Sequence, residues 1–265
     1  MGEVQDLSIL QSIILGIVQG LTEFLPVSSS GHLVIASKLL DLKPDIAFDV
    51  MLHFATLLAV CVFFARDIIN IIKSFLFSRS LKDPYFKLGL LVIAGSVPTA
   101  IIGFSLQRTF ESMFSSLFAV GCFLILTGVL MILAETYGKA RKDIKKFSFI
   151  DSLVIGIAQG CAIAPGLSRS GTTISASLLT GLKRPLAARF SFLLSIPAIL
   201  GASVFKSKEI LGNIGLPMIA GFLFAAISGY MAIWLFMKMI EKKNLKWFAY
   251  YCFIIGCLVI LKSVL

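Results

Sequence analysis

Charged side chains are scarce in this sequence. Asp, Glu, Lys and Arg make up only 14% of the 265 residues, whereas hydrophobic residues make up 58% and the mean hydropathy is +0.96. Soluble domains carry about 25% charged residues, and apolar runs of about 18 residues or more are typical of membrane spans. The chain contains several such runs. The composition therefore excludes an ordinary soluble domain and predicts a membrane protein.

Several short catalytic and cofactor motifs are also absent. No GxxxxGK[ST] run occurs, which excludes a nucleotide-binding P-loop. Neither HExxH nor GxSxG occurs, which excludes the common metalloprotease and serine-hydrolase sites. The five cysteines form no CxxC pair, so neither a zinc site nor a disulfide framework is indicated.

Positive charge is in excess, with 24 Lys and Arg against 14 Asp and Glu. A net charge of +10 can indicate nucleic-acid binding. Here the charges lie in short segments between apolar runs, as in the cytoplasmic loops of membrane proteins. We therefore expect the protein to reside in the lipid bilayer and to bind no nucleic acid.

Six segments are long and apolar enough to cross a bilayer, near 47–65, 87–106, 117–134, 188–204, 217–238 and 247–264. Two other apolar stretches, 8–41 and 152–183, are each interrupted by a short polar run with Pro, Gly and Ser. The sequence therefore predicts an all-α polytopic membrane protein. We expect about six transmembrane helices plus two re-entrant helix–loop–helix elements, in a single membrane domain over 1–265.

An internal repeat links the two interrupted stretches at a displacement of about 140 residues. The matching runs are GIVQG (16–20) and GIAQG (156–160), PVSSSG (26–31) and PGLSRSG (165–171), and LKP (42–44) and LKRP (182–185). Duplication is predicted, with halves at roughly 8–135 and 152–264. Each half then has one interrupted element and three spans. Because three is odd, we expect an inverted-topology repeat, a device that transporters also use.

The segments between spans differ in their content of Lys and Arg. Segments 66–86, 136–150 and 239–246 are rich in these residues, whereas 107–116 and 205–216 are poorer. The positive-inside rule places the three rich segments in the cytoplasm. Both termini then lie outside, provided that each interrupted element enters and leaves the membrane on the same side.

Three ionisable residues, Glu23, His32 and Arg169, lie in or beside the polar breaks. A charged side chain at the bilayer centre costs about 2.5–3.5 kcal/mol on insertion scales. Non-helical backbone at that depth must be buried in protein or line a wet cavity. We therefore expect the duplicated breaks to face each other and form one polar chamber, in preference to a purely interfacial or structural role for these residues.

The second break has the composition of a phosphate clamp. Arg169 carries a planar guanidinium that suits bidentate phosphate contacts. Hydroxyl groups surround it in sequence, on Ser168, Ser170, Thr172 and Thr173. The chain that follows reads as the start of a helix, and free N–H groups at helix N-termini favour anions.

The first break has the composition of a reactive site. Gln19 and Glu23 are spaced i, i+4 and share a helix face. Three hydroxyls follow, on Ser28, Ser29 and Ser30. His32 is a potential base, and Glu23 can orient that base or bind a metal ion, which is how a serine nucleophile is activated. His53, four residues after Asp49, could extend the chamber, but interfacial anchoring is the favoured interpretation.

These motifs resemble the undecaprenyl-diphosphatase family, which is also known for bacitracin resistance. The first family motif has Glu or Gln, then Glu, FLPVSS and GH, and is matched by QGLTEFLPVSSSGH at 19–32. The second, PGxSRS with a Thr close behind, is matched by PGLSRSGTT at 165–173. The resemblance covers essentially the whole chain, including its length and its pattern of spans.

The resemblance implies a membrane hydrolase that converts undecaprenyl diphosphate to undecaprenyl phosphate and inorganic phosphate, recycling the lipid carrier of cell-wall precursors. It implies catalytic roles for Glu23, Ser29, His32 and Arg169. It implies supporting phosphate contacts from Ser28, Ser30, Ser168, Ser170 and Thr173. It also implies a divalent cation, Mg2+ or Ca2+, held by Glu23. Gln19 stands where many members have Glu, so the site lacks one carboxylate.

The expected location is the bacterial inner (plasma) membrane, with the site open to the periplasmic or outer side and a homodimer as a candidate assembly. In the expected mechanism Ser29 attacks the terminal phosphorus while His32, positioned by Glu23, takes its proton. A rival makes His32 the nucleophile or the base for water. Type-2 acid phosphatases share the SGH and SR runs, but their KxxxxxxRP is absent. The alternative from another class is a secondary transporter or lipid flippase with the same chamber.

Overall fold

A computed structural model describes residues 7–42, 46–113, 116–205, 215–242 and 244–264. Most of these residues are helical, and the described ranges contain no β-strand. Part of the LKP run, at 43–44, and most of the predicted 205–216 segment, at 206–214, lie outside them. The prediction of an all-α protein is confirmed.

We number the described α-helices α1 to α12 in chain order. They are α1 Ile9–Phe24, α2 Ser29–Leu39, α3 Ile46–Phe63, α4 Ala65–Lys73, α5 Pro84–Ser105, α6 Gln107–Met113, α7 Leu117–Tyr137, α8 Phe149–Cys161, α9 Arg169–Leu179, α10 Arg184–Phe205, α11 Leu216–Ile240 and α12 Lys246–Val264. A single π-helical turn, Ser74–Ser78, continues α4.

Five of these helices, α5, α7, α10, α11 and α12, are long and apolar enough to cross a membrane. A sixth span is obtained if Ala47–Phe63 and Ala65–Ser78, which meet at an angle of 70°, are counted as one bent span. Helices α1 and α8 are apolar but shorter. The protein is therefore a polytopic membrane protein, and the prediction of about six spans is confirmed.

Two segments that were predicted as connecting loops are helical. Residues 65–78 of the predicted 66–86 loop form α4 and the π-helical turn, and residues 107–113 form α6. Helix α4 is amphipathic, because its polar side chains, at 66, 67, 70 and 73, cluster on one side and its isoleucines, at 68, 69, 71 and 72, lie on the other. The prediction of a loop was wrong because it rested on the charge content of this segment, whereas the spacing of its polar and apolar residues is that of a helix.

The two interrupted elements begin their helices in the same way. Ser8 caps α1 in a capping box with Gln11, and Ser148 caps α8 in a capping box with Asp151. After each break a serine caps the second helix: Ser28 Oγ accepts from the amide of Gly31 (3.2 Å), and Ser168 Oγ accepts from that of Gly171 (3.1 Å). Each pair of caps is 140 positions apart, which is the displacement of the sequence repeat.

The second helices of the two elements also end alike. Asp41 and Gly181 both have positive φ, 55° and 95°. The next amide donates back into each helix, from Leu42 to Ser37 (2.9 Å) and from Leu182 to Ser177 (3.0 Å). This correspondence supports the predicted duplication. The division into halves at 8–135 and 152–264, and their inverted orientation, stay predictions.

Each interrupted element packs against a span from the other half of the chain. Helix α1 makes its most extensive contacts with α11, and α8 makes its most extensive contacts with α5. Glycines allow the close approach, because a Cβ on Gly16 would collide with the carbonyl of Gly221, and a Cβ on Gly156 with that of Gly95. The two halves are therefore interlocked, which fixes the two breaks relative to each other.

Helices α7 and α12 form a third close pair. A Cβ on Gly121 would lie 2.9 Å from the carbonyl oxygen of Gly256, and a Cβ on Gly256 would lie 2.9 Å from that of Gly121.

Buried aromatic rings fill the space beside the first break, where Phe24 meets Phe192 edge to face with ring centroids 5.5 Å apart. This packing gives the end of α1, and the polar run that follows it, a rigid support.

Candidate active site

The two polar breaks lie against each other, as the sequence predicts. Three hydrogen bonds join them, from Arg169 Nη2 to Glu23 Oε1 (2.6 Å), from Ser170 Oγ to the carbonyl of Leu25 (3.0 Å), and from the amide of Gly166 to Ser30 Oγ (3.3 Å). The residues in each pair are more than one hundred positions apart. The fold therefore assembles one polar site from the duplicated runs.

Glu23 is the centre of this site. Its side chain is buried, and Oε1 is paired with Arg169. Oε2 accepts from Gln19 Nε2 (3.0 Å) and from Ser29 Oγ (2.6 Å), and His53 Nε2 lies 3.7 Å away. A buried carboxylate requires such partners, because an unpaired buried charge is strongly destabilising. Four groups that differ in chemistry thus converge on one carboxylate.

Ser29 is the serine of the first break whose hydroxyl contacts Glu23. Its hydroxyl donates directly to Glu23, the geometry in which a carboxylate can accept the proton of an attacking hydroxyl. Ser28 instead caps α2 and lies 3.3 Å from Ser30 Oγ. Ser28 also has φ of 70°, which is uncommon for a residue other than glycine. Backbone strain of this kind is found at functional sites. Here the strained residue directly precedes Ser29, whose hydroxyl donates to Glu23.

The two terminal nitrogens of the Arg169 guanidinium differ in their partners. Nη2 pairs with Glu23, whereas Nη1 is buried and has no hydrogen-bond partner among the described residues. An unpaired buried donor costs about 1–3 kcal/mol, and more when it is charged, so such a group calls for a ligand. Arg169 is also the first residue of α9, as Ser29 is the first of α2. Two helix N-termini therefore open onto the same site and favour an anion there.

The other hydroxyls of the second break hold the site together. Ser168 Oγ caps α9 and lies 3.2 Å from Ser170 Oγ. Thr173 Oγ1 donates to the carbonyl of Arg169 (2.8 Å) and lies 2.6 Å from Ser191 Oγ. In this arrangement these side chains fix the position of Arg169. Their predicted direct contacts with phosphate stay predictions.

His32 does not have the partner that the sequence analysis expected. Its Nδ1 lies 2.8 Å from the carbonyl of Ser28, and its Nε2 lies 2.7 Å from the hydroxyl of Tyr251. The rings of His32 and Tyr251 are also stacked, with centroids 5.6 Å apart. Because both ring nitrogens are occupied, the expected positioning of His32 by Glu23 is wrong for this arrangement. Tyr251, on α12, was missed because nothing in the local sequence connects it with the first break.

His53 is the histidine that reaches Glu23. Its Nδ1 lies 2.8 Å from the carbonyl of Asp49, which leaves Nε2 directed at the carboxylate. The interpretation of His53 as an interfacial anchor is therefore wrong. A weak signal was present in the sequence, since a histidine about two turns into an apolar span is costly unless it has a polar partner.

The residues of the site fit a divalent cation only with help from a substrate. No group of three or more His, Cys, Asp or Glu side chains suited to a metal ion occurs within the described ranges. Glu23 offers a carboxylate, and Gln19 Oε1 is a buried oxygen with no hydrogen-bond partner in the described structure. Mg2+ is usually held by one or two carboxylates plus substrate phosphates and water. Gln19 presents Nε2 to Glu23, so the two residues would hold such an ion together once the amide of Gln19 turns its oxygen toward the carboxylate.

The comparisons with known proteins agree with the motifs. The sequence model of the bacitracin resistance protein BacA matches residues 12–258. An undecaprenyl-diphosphatase of Methanobrevibacter smithii is 44% identical over 274 residues, covering 97% of this chain and 99% of the relative. One from Carboxydothermus hydrogenoformans is 46% identical over 254 residues, covering 93% of this chain and 94% of the relative. The chain belongs to the BacA family of bacitracin resistance proteins.

Proposed function

We propose that the protein is an undecaprenyl-diphosphate phosphatase, which releases the terminal phosphate of undecaprenyl diphosphate and leaves undecaprenyl phosphate. The observation that carries this proposal is the hydrogen bond from Ser29 to Glu23, beside the buried guanidinium of Arg169. It combines a nucleophile, a base and an anion-binding group in one buried site. The relatives with this name, similar to the chain over nearly its whole length, support the choice of substrate.

The phosphates bind where positive character is concentrated. Arg169 Nη1 donates to a phosphate oxygen, and the N-termini of α2 and α9 add the positive ends of their helix dipoles. Phosphoryl transfer depends mainly on positioning and on stabilising negative charge. Arg169 and the two helix N-termini therefore position the phosphates and stabilise their negative charge.

Ser29 then attacks the terminal phosphorus, and Glu23 takes the proton of its hydroxyl. The bond between this phosphorus and the bridging oxygen breaks, and undecaprenyl phosphate leaves with the bridging oxygen. Glu23 passes this proton to the departing undecaprenyl phosphate and becomes a carboxylate again. It then takes a proton from the water that hydrolyses the phosphoserine, which releases inorganic phosphate and restores Ser29. This route replaces the expected proton transfer to His32, because Ser29 already donates to Glu23. A nucleophilic His32 remains the rival within the enzyme class.

A divalent cation, Mg2+ or Ca2+, belongs to this proposal. Glu23 and Gln19 Oε1 would hold it, and it would neutralise negative charge on the diphosphate when bound. Arg169 and His53 provide positive charge beside the same carboxylate. Binding of the metal therefore depends on phosphate oxygens of the substrate as well as on the protein.

Replacing Gln19 with Glu tests the metal proposal. The change adds a second carboxylate beside Glu23, so the Mg2+ concentration that gives half-maximal phosphate release should fall about tenfold. Isothermal titration of the substrate-free variant with Mg2+ gives a second readout, because binding should become measurable without phosphate. Gln19→Ala is the control, since it removes the oxygen ligand. Unchanged Mg2+ dependence in Gln19→Glu would argue against a metal at this position.

Replacing His53 tests its pairing with Glu23. His53→Ala removes the group opposite Oε2 and should lower kcat about tenfold, with a smaller change in KM, because Glu23 loses one group that orients it. His53→Gln should keep most of the activity, since an amide can still donate to the carboxylate. Steady-state phosphate release by both purified variants is the measurement. Equal activity of His53→Ala and the wild type would leave His53 with no role in the reaction.

The membrane orientation is also part of the proposal. We place the protein in the plasma membrane, with the Lys- and Arg-rich segments 66–86, 136–150 and 239–246 in the cytoplasm and the site open to the outer side. The proposal includes a re-entrant course for the two interrupted elements, on which the placement of both termini outside depends. The homodimer stays a prediction, which analytical ultracentrifugation of the detergent-solubilised protein tests.

A phosphate-release assay separates the enzyme from the transporter or flippase alternative. Purified protein in detergent has no second compartment, so a transporter or flippase alone would release no phosphate from undecaprenyl diphosphate. The proposal expects release that depends on protein concentration and yields undecaprenyl phosphate as the lipid product. Absence of release by folded wild-type protein with Mg2+ and Ca2+ present would reject the enzyme function.

A further inference from the structure

An apolar groove runs between α2, α7 and α12 on the surface of the protein. Its volume is about 210 Å³, and its walls include Ile35 and Leu39 from α2 and Ile255 and Leu258 from α12. Pockets that enclose a whole drug-sized ligand measure about 300–1,000 Å³, so this groove suits one segment of a chain molecule. Two lysines, Lys38 and Lys262, line it as well.

The groove lies on the same helix faces as a contact between His32 and Tyr251. On α2, His32, Ile35 and Leu39 follow the i, i+3, i+7 spacing that places side chains on one helix face. On α12, Tyr251, Ile255 and Leu258 share a face in the same way. The hydrogen bond between His32 and Tyr251 joins the two faces at 2.7 Å. The residues that line the groove follow this pair on both helices.

The charges lie at the other end of the groove. Lys38 is in the last turn of α2 and Lys262 in the last turn of α12, and both side chains are exposed. Lysines at helix C-termini commonly complement the helix dipole and reach toward water. That explanation accounts for each lysine alone. It does not account for two of them at one end of a shared apolar groove.

We propose that this groove is a loading site for the polyprenyl diphosphate, with the diphosphate held by Lys38 and Lys262 and the first isoprene units lying along Ile35, Leu39, Ile255 and Leu258. The proposal rests on the proposed function. The chemistry is that of a single apolar chain with an anionic head, which matches an apolar groove with two cations at one end. Because the groove is open to the bilayer, the isoprene units leave it sideways as the head group moves past the His32–Tyr251 pair to Arg169.

Two variants test the loading site in the purified full-length protein. In Lys38→Gln/Lys262→Gln the loss of two positive charges should raise KM for undecaprenyl diphosphate about tenfold or more, with kcat unchanged. Leu258→Trp fills the groove and should raise the same KM. The effect of Leu258→Trp should shrink for a diphosphate with a single isoprene unit, because that substrate lacks the chain that lies along the groove, whereas the effect of the double lysine variant should persist.

Two control variants are available, one on α12 and one away from the groove helices. Leu261→Trp places the same ring on an exposed position of α12 outside the groove, and Lys82→Gln removes an exposed lysine elsewhere. Neither should change KM. Unchanged KM for undecaprenyl diphosphate in both groove variants would overturn the loading site and leave the proposed function intact. Absence of phosphate release by the wild type would instead overturn the function.

A phospholipid is the competing occupant. To test for it, the activities of the wild type and Lys38→Gln/Lys262→Gln are compared in micelles with and without anionic phosphatidylglycerol. The groove binds a structural lipid if phosphatidylglycerol changes only the activity of the wild type and the two proteins have the same KM without it. That result would contradict the loading site. A KM difference that persists in neutral detergent supports it.

Discussion

Replacing Arg169 with Ala should lower kcat for phosphate release by about 10³-fold or more, which is the range for an arginine that stabilises charge in phosphoryl transfer. The guanidinium pairs with Glu23 through Nη2 and holds Nη1 ready for phosphate. Its removal takes away both the anion-binding group and the positive charge beside the base. Steady-state phosphate release by the purified variant is the measurement.

The same substitution also affects stability, so folding must be monitored. Removing one partner of a buried ion pair costs about 3–5 kcal/mol, because Glu23 is left buried without its cation. Arg169→Ala/Glu23→Gln removes the unpaired charge and should recover much of the lost thermal stability while remaining inactive. Arg169→Lys should also lose most activity, since lysine lacks the planar fork. A folded Arg169→Ala protein with near wild-type kcat would contradict the proposed site.

Replacing Ser29 with Ala should reduce phosphate release to the background, with little change in thermal stability. The substitution removes the nucleophile and one hydrogen bond to Glu23 Oε2, while Gln19 and Arg169 continue to hold the carboxylate. Loss of a catalytic nucleophile lowers kcat by about 10⁴-fold or more in enzymes where it has been measured. The variant should still bind substrate, because the anion-binding groups remain.

The neighbouring serines supply the controls for this prediction. Ser28→Ala removes the cap of α2 and should lower stability by about 1 kcal/mol, with a partial loss of activity. Ser30→Ala removes the acceptor of the amide of Gly166 and should have a similarly modest effect. An effect of Ser28→Ala or Ser30→Ala on kcat as large as that of Ser29→Ala would assign the nucleophile to a different residue.

Local sequence was sufficient for the parts of the fold that local chemistry determines. The serines at 28 and 168 sit before apolar helices, so caps and breaks could be predicted from capping chemistry. The repeat at a displacement of about 140 residues brought Glu23 and Arg169 into one expected chamber. Opposite charges buried in a membrane protein have few alternatives to pairing with each other. For these reasons the core of the site could be predicted.

The remaining partners depend on helix packing that sequence patterns do not encode. Tyr251 meets His32 because glycines bring α12 against α7, which contacts the element that carries the first break. His53 reaches Glu23 because α3 and α1 both pack on α11. A tyrosine or histidine near the end of a span is most often interfacial, so composition favoured the wrong role for His53. Contacts between distant elements decided both assignments.

The central claim is that Ser29 receives the terminal phosphoryl group of the lipid diphosphate. Wild-type protein mixed with substrate labelled in the terminal phosphate, quenched in acid during turnover and mapped by peptide mass spectrometry tests it directly. The account predicts label on Ser29 that survives acid, is absent in Ser29→Ala and Arg169→Ala, and disappears when the substrate is exhausted. Label that is lost in acid but survives a parallel alkaline quench and maps to His32, or label on Ser28 or Ser30, would contradict it.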